Sequence, residues 1–279
     1  MKRIFTLCII LCTVLTGFAQ TDTTGNPSDT IKVGTMIIIR KPGNNHDEGS
    51  KDKHIIISNG NRHYKPSNIS TNWIILDIGF ANYSDKTNYP AAVSSGFLGA
   101  GFNDKDQMKL RAIKSVNINV WLFMQRMNLI QHVVNLKYGL GLELNNYRYD
   151  NESIRFQKNP THISIDPTLV NVKKNKLAAD YITVPLMLNF NFTPHHGRGF
   201  GFSAGVSAGY LYSARQKIKI GNDKSKLHDD FDLERWKLSY VGELNLGPVR
   251  LYGSYAVKSM WSKGLDQTPY TVGLRFSNW

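Results

Sequence analysis

The sequence predicts an all-β protein, an eight-stranded antiparallel up-and-down transmembrane β-barrel preceded by a short N-terminal arm. The first observation is the strict alternation of apolar and mostly polar residues in Tyr181–Phe192, which gives one strand two different faces. The second is the recurrence of this pattern in segments of about ten residues, the length that a tilted strand needs to cross a bilayer. The third is a regular alternation of long and short connections between the segments.

Eight segments from Trp73 onward carry the alternation. They are Trp73–Tyr83, Val116–Arg126, Val134–Tyr147, Tyr181–Phe192, Gly199–Ala214, Arg235–Leu246, Val249–Val257 and Thr268–Phe276. An even number of strands lets every neighbouring pair be antiparallel when the barrel closes. Long connections follow the odd-numbered segments and short connections follow the even-numbered ones. In such barrels the long connections are extracellular and the short ones periplasmic, so we expect both termini in the periplasm.

The N-terminus has the composition of a secretory signal peptide. Lys2 and Arg3 precede an apolar run that extends to Leu15, and small residues surround the expected cleavage site after Ala19. We therefore expect export to the cell outer membrane. Cys8 and Cys12 both lie in this segment, so the mature chain would have no thiol for disulfides, catalysis or metal binding.

Three regions follow from these boundaries. Residues 1–19 are assigned to the signal peptide, 20–71 to a periplasmic N-terminal arm or hairpin, and 72–279 to the outer-membrane β-barrel. Within the arm, Ile31–Arg40 and His54–Ser58 are two short β-like runs separated by a polar stretch. The arm is either a small hairpin or an extended segment.

The chain is strongly basic, and its positive net charge favours anionic partners. Loss of Lys2 and Arg3 with the signal peptide lowers the formal net charge from +13 to +11. For an exported basic protein we expect outer-membrane lipid and lipopolysaccharide as partners, and a protein partner of unknown identity. The chain has no basic helix or zinc-finger spacing, so nucleic acid is not expected. No cofactor and no metal are expected.

Charged residues within the strands share the phase opposite to the apolar face and are expected in the lumen. These residues are Asp77, Lys137, Glu143, Lys237, Glu243, Arg250 and Arg275. The interior of an eight-stranded barrel is just wide enough for side chains to fill it, and buried charges require partners. We predict an ionic plug with a structural role. The alternatives are a narrow ion path and a catalytic carboxylate pair.

Three motifs in the connections could carry other chemistry. His162, Ser164 and Asp166 have the residue types of an acyl-hydrolysis triad, which requires that folding bring them within hydrogen-bond reach. His195-His196 supplies two metal ligands without a third. Lys173-Lys174-Asn175-Lys176 is either a contact for lipid phosphates or a solvated run of charge. Solvated loop residues are the simpler explanation of all three motifs.

Several segments resemble the Bacteroidota-type outer-membrane β-barrel family, which is porin-like and PorT-like. They are Leu136–Tyr149, Tyr181–Phe192, Trp73–Tyr83, Asp29–Gly34 and the export site at Gly17–Gln20. The resemblance implies a barrel that is structural, adhesive or part of a secretion machinery, and it supplies no catalytic residues. The C-terminus departs from the pattern, because the in-phase aromatic is Phe276 and Trp279 lies beyond it.

The function predicted on this basis is that of a non-enzymatic integral outer-membrane protein. It would be structural, or would bind a partner through its extracellular loops or its periplasmic arm. One alternative is a porin or transporter for small solutes, which needs a wider lumen. The other is a lipid-modifying hydrolase or acyltransferase, which needs a converging serine, histidine and acid.

Overall fold

The computed structural model describes residues 29–33, 36–40, 67–193 and 199–277. The chain divides into two compact units, Met1–His63 and Tyr64–Trp279. The signal peptide, His54–Ser58, His195-His196 and Trp279 all lie outside the described residues.

The first unit contains a hairpin of two short antiparallel strands. β1 (Asp29–Val33) pairs with β2 (Met36–Arg40), with Val33 opposite Met36. The run Ile31–Arg40, which the sequence presented as one strand, is thus divided between two strands.

The second unit is built around a closed barrel of eight antiparallel strands. These are β3 (Ile69–Asp85), β4 (Val116–Ile130), β5 (Val134–Arg148), β8 (Val172–Asn191), β9 (Phe200–Ile220), β11 (Trp236–Leu246), β12 (Val249–Ala256) and β13 (Gln267–Phe276). Each pairs with the next in this order, and β13 pairs with β3 to close the ring. We call the β3–β13 pairing the seam. The predicted barrel, its antiparallel order and its number of strands are confirmed.

The remaining elements lie in the connections between barrel strands. β6 (Ile154–Gln157) and β7 (His162–Ile165) form a separate hairpin between β5 and β8. β10 (Asp223–His228) pairs with the last part of β9. A short helix, α1 (Tyr89–Ser94), follows β3, with single 3-10 turns at Lys105–Met108 and Ala112–Lys114.

The outer face of the barrel is apolar and the inner face is polar, the reverse of a soluble barrel. Along β8, Leu188 is 44% exposed on the outside, whereas its neighbour Asn189 is 3% exposed on the inside. Leu186 and Val184 repeat the outward pattern. A band of this kind is stable only when lipid covers it. No helix in the described part of the chain is long and apolar enough to cross a membrane.

One prediction of phase is wrong, because β3 and β4 both contain an irregularity. The alternation within Val116–Arg126 predicts Met124 on the lipid face with Leu122, but Met124 is fully buried and packs with Ile75 and Met187 inside the barrel. The register shifts between Trp121 and Phe123, so one extra residue moves the following side chains, as far as Asn128, to the other face.

Two strands extend at one end well beyond their predicted bounds. β8 begins at Val172 instead of Tyr181, and β9 continues to Ile220 instead of ending at Ala214. Their extra residues pair with each other beyond the apolar band, and β10 adds a third strand. The barrel wall therefore continues as a three-stranded sheet, which we call the extension.

The long connections form a packed structure at one end of the barrel. We call it the cap, and it comprises residues 86–115, 149–171, 229–235 and 257–266. In α1, Asn88 accepts a hydrogen bond from the backbone N–H of Ala91, and Pro90 occupies the first turn, as is typical of a helix start. The cap and the adjoining strand ends share the largest hydrophobic cluster of the described residues.

Candidate functional site: the barrel interior and the cap

The centre of the barrel contains a network of buried ion pairs. Arg275 binds Asp77 through two parallel hydrogen bonds of 2.7 Å, across the seam where the two residues are direct neighbours. The same guanidinium also donates to Glu243. Lys137 donates to Glu243 as well, and Lys237 donates to Glu143. All six side chains are less than 9% exposed.

The network balances charge as well as hydrogen bonds. Three carboxylates face two ammonium groups and one guanidinium, so the six groups sum to zero. Charges in a low-dielectric interior are tolerated when partners of opposite sign satisfy them. Arg275 also lies 5.4 Å from the Trp121 ring, and Lys237 lies 4.8 Å from the Tyr181 ring.

The seventh predicted lumen charge, Arg250, is placed differently. Its side chain is half-buried near the start of β12 and donates to the carbonyl and hydroxyl oxygens of Ser277, which follows the last strand. The structure therefore gathers six of the seven residues into one network and places Arg250 close to the C-terminal end of the barrel wall.

Amide and aromatic side chains, which were not among the predicted lumen residues, extend the network. Asn119 and the Trp121 indole both donate to Asp77, at 3.1 and 2.7 Å. Asn117 joins Asn119 to Asn145, and the Tyr252 hydroxyl donates to Asn117. The signal was present in the lumen-phase polar residues of Val116–Arg126, which alternate with its apolar ones.

Two small cavities lie at the network, and a larger open depression of about 830 Å³, beside Tyr240 and Val272, also reaches Glu243. A cavity of about 30 Å³ lies among residues that include Trp121, Glu143 and Arg275, and another of about 10 Å³ lies near Lys137. The first has room for about one water molecule. An interior filled in this way matches the expectation for eight strands.

The cap closes one end of the barrel with a cluster of aromatic rings. The Phe156 ring stacks on Trp261 at 6.2 Å between centroids and meets Phe231 edge-on at 5.2 Å. Tyr149 lies 5.9 Å from Phe156 on the other side. Burial raises the pKa of the Tyr149 hydroxyl above its usual value, so this group stays neutral at all ordinary pH values.

Polar side chains from the barrel wall hold the cap in place. Gln216 of β9 accepts a hydrogen bond from the Phe156 backbone and donates to the Ile154 carbonyl, at 3.0 and 2.9 Å. Asn175 of β8 donates to the carbonyls of Glu152 and Ile154. These two amides satisfy the edge of the β6–β7 hairpin, which therefore belongs to the folded structure of the barrel.

The candidate catalytic residues have other partners. The Nδ1 atom of His162 lies 2.8 Å from the Gly96 carbonyl, and Asp166 binds Arg155 at 2.6 Å. Thr168 donates to Asp166 through both its hydroxyl and its backbone N–H, which lowers the pKa of that carboxyl. These contacts stabilise the turn after β7 and differ from the hydrogen bonds of a triad. Among residues 67–193 and 199–277, no group of three potential ligands is placed to hold a metal ion.

The lysine run Lys173–Lys176 lies at the start of β8, in the extension. Lys174 and Lys176 project from one face, whereas Asn175 between them points inward and binds the cap. Because side chains alternate along a strand, Asn175 contacts the cap whereas Lys174 and Lys176 lie on the opposite, outer face.

A comparison with protein-family models identifies the class of this protein. Residues 84–256, more than half of the chain, match the model described as outer membrane protein beta-barrel domain. The chain belongs to this family and is an integral protein of the outer membrane. No protein among the curated sequences matches it.

Solved structures similar to this chain include two outer-membrane proteins. One is Ail, the attachment invasion locus protein of Yersinia pestis, and the other is Neisserial surface protein A, NspA. Each is 10% identical in sequence, with a TM-score of 0.30, and the match covers 76% of this chain and all of theirs.

Proposed function

We propose that this protein is a non-enzymatic outer-membrane protein whose barrel is closed to solutes and anchors a folded cap at the cell surface. The observation that carries the proposal is the neutral ionic network that fills the barrel centre. A porin requires a hydrated path through this region, whereas the two cavities lined by the network have volumes of only about 30 and 10 Å³.

The cap supports a role in presenting a surface to partners. Its aromatic core and its hydrogen bonds to Gln216 and Asn175 give the long connections one defined shape. A preorganised surface binds a partner with less loss of conformational entropy than mobile loops do. The partners proposed are outer-membrane lipid and lipopolysaccharide beside the barrel, and a protein that contacts the cap. No cofactor and no nucleic acid take part.

The proposed orientation places the cap outside the cell and both termini in the periplasm. Its support is the alternation of long and short connections, which in bacterial barrels lie on the extracellular and periplasmic sides. The signal peptide at residues 1–19 would direct the export that this orientation requires.

Conductance across planar bilayers tests the closed lumen. The refolded wild-type protein is expected to give no stable openings. The double variant Lys137→Ala, Glu243→Ala removes one buried acid with its base, keeps the network neutral and is expected to increase ion leakage. Stable wild-type openings that pass small solutes would contradict the proposal.

Thiol labelling of intact cells tests the orientation. Asp223→Cys, at the exposed first residue of β10, should react with an impermeant maleimide. Gln131→Cys, in the exposed turn between β4 and β5, should react only after the outer membrane is permeabilised. The opposite pattern would reverse the orientation without bearing on whether the lumen conducts.

A further inference from the structure

The extension carries a compact grid of lysines on its outward face. We call this set the lysine face, and its members are Lys174, Lys176, Lys217, Lys219, Lys224 and Lys226. They come from three adjacent strands, β8, β9 and β10. Only Lys174 and Lys176 form a cluster in the sequence, because the other four lysines approach them only through strand pairing.

The register places the lysines in two rows of direct neighbours. Lys219 of β9 lies opposite Lys174 of β8 and opposite Lys224 of β10. The second row repeats this arrangement one step closer to the barrel. Its members are Lys176, Lys217 and Lys226, and Arg148 of β5 continues it beyond Lys176.

Direct cross-strand neighbours have Cβ atoms about 4.5–5.5 Å apart, and like charges at that separation destabilise a sheet. Four lysine pairs of this kind occur in the extension. Burial together with the cations of Lys174 and Lys217 lowers the pKa of Lys176 to about 8. Burial, followed by the positive charge of Lys226, also lowers the pKa of Lys217.

Acidic groups do not neutralise this face. Among the described residues, none of the six lysines forms a salt bridge with a carboxylate. The nearest acids have other partners, since Asp180 binds Arg215 and Glu152 binds Arg111 and Arg148. Asp223, in β10, lies in the opposite phase to Lys224 and Lys226. Lys176 donates a hydrogen bond to the uncharged side chain of Asn146. Within the described residues no acid therefore neutralises the six cations, which can bind an anion from outside the chain.

The lysine face lies on the outer face of the barrel wall, the same face that carries the lipid-facing apolar band. Tyr210 and Tyr212 of β9 are exposed on the outside at the end of that band, beside Trp236. Such aromatic residues mark the membrane–water interface. A register shift at Tyr212 then moves the outward phase of β9 to Arg215, Lys217 and Lys219.

The height of the rows indicates which lipids they reach. At a rise of about 3.3 Å per residue and a tilt of about 40°, Lys217 and Lys219 lie roughly 13 and 18 Å beyond Tyr212 along the membrane normal. The headgroup region of a phospholipid leaflet is only about 5–8 Å thick. The lysines thus stand above phospholipid headgroups, at the level of a headgroup built from several sugars.

We propose that the lysine face binds the phosphate groups of the phosphorylated glycolipids that surround the barrel in the outer leaflet. The inference rests on the proposed orientation, which places the extension outside the cell. It adds a binding site to that function, because six cations without acidic partners face the lipid headgroups next to the barrel wall. Phosphates would bridge neighbouring lysines and remove their mutual repulsion.

Binding of labelled glycolipid by the full-length protein tests the proposal. The chain, refolded in dodecyl maltoside micelles, is titrated with fluorescent rough lipopolysaccharide and followed by anisotropy. The variant Lys217→Thr, Lys219→Thr removes the centre of both rows and is expected to weaken binding at least tenfold. The wild type should bind the same glycolipid much more weakly after chemical dephosphorylation.

A control variant separates this site from general charge effects. Lys114→Thr, Lys258→Thr removes two exposed lysines outside the extension and should bind as the wild type does. If Lys217→Thr, Lys219→Thr does not fold, Lys224→Thr, Lys226→Thr on the edge strand β10 replaces it, with the same expected direction.

Two results would overturn the proposal. One is an equal loss of affinity in both double variants, and the other is wild-type binding of heparin as tight as that of the intact glycolipid. Binding in micelles depends neither on orientation nor on conductance. A failure of the closed-lumen or orientation experiment is therefore distinguishable from a failure here.

Discussion

Replacing Asp77 by asparagine would test whether the ionic network holds the barrel together. Asp77 is fully buried and lies on β3, directly opposite Arg275 of β13. Its carboxylate accepts two hydrogen bonds from Arg275, one from Trp121 and one from Asn119. Asn keeps the shape of the side chain but removes the charge and turns an acceptor into a donor.

The expected cost follows from the partners that remain. Breaking a buried ion pair by removing one member costs about 3–5 kcal/mol, because the other charge is left uncompensated. Arg275 retains Glu243, so we expect a loss near the lower end, about 3 kcal/mol. The variant Asp77→Asn, Arg275→Gln removes both charges and keeps Glu243 paired with Lys137. It should be less destabilised than the sum of the two single variants by about 1–3 kcal/mol.

Urea unfolding in phospholipid vesicles, followed by tryptophan fluorescence and circular dichroism, measures these free energies. Asp266→Asn is the matched control, because that carboxylate is exposed in a connection of the cap and should change stability by less than about 0.5 kcal/mol. The reasoning is refuted if Asp77→Asn is as stable as Asp266→Asn. Full additivity of Asp77→Asn and Arg275→Gln would refute the coupling between the two residues.

Three further predictions concern the wall, the cap and the extension. Leu188→Arg puts a charge in lipid and should cost about 2–4 kcal/mol in vesicle unfolding, whereas Asn189→Gln on the inner face should cost much less; equal costs would contradict the assigned phase. Phe156→Ala removes the ring between Tyr149, Phe231 and Trp261, so limited proteolysis should cut within residues 150–170 while the barrel stays folded; continued resistance to protease would contradict a packed cap. Lys176 should titrate near pH 8 by NMR of dimethylated lysines, and Lys217→Thr should raise its pKa. Because the folded pKa lies below the unfolded value of 10.5, charged Lys176 destabilises the fold, and the stability of the protein should rise between about pH 8 and 10.5 as this cost is removed. An unshifted Lys176 would contradict the crowding of charge.

The alternation of residues predicted the barrel because, within each strand, the side chains that face lipid are apolar and those that face the lumen are mostly polar. The phase of Asp77 and Arg275 was visible in the sequence, but their pairing was not, since it depends on how the seam closes. The displacement of Met124 was also hidden, because a bulge changes the register without changing composition.

The cap could not be predicted because its sequence has no regular hydrophobic pattern. Its buried residues, such as Phe97, Phe156, Phe231 and Trp261, come from separate connections and follow no period of 2 or 3.6. Only the closed barrel brings these connections together at one end. The extension was missed because lysines occupy its outward positions, and alternation of charge with polar residues does not resemble a lipid-facing strand.

Charged residues occur in two opposite arrangements in this chain, one neutralised within the fold and one not, and the difference indicates where a ligand binds. Inside the barrel, three acids meet three bases, and the groups satisfy one another without any ligand. On the lysine face, six bases adjoin one another and no acid within the described residues pairs with them. A structural role explains the first arrangement, since buried charges must be neutralised within the fold. It does not explain the second, which destabilises the sheet that carries it. Bound anions would relieve the repulsion between these lysines. The ligand site of this protein is therefore the lysine face beside the outer leaflet, and not the lumen.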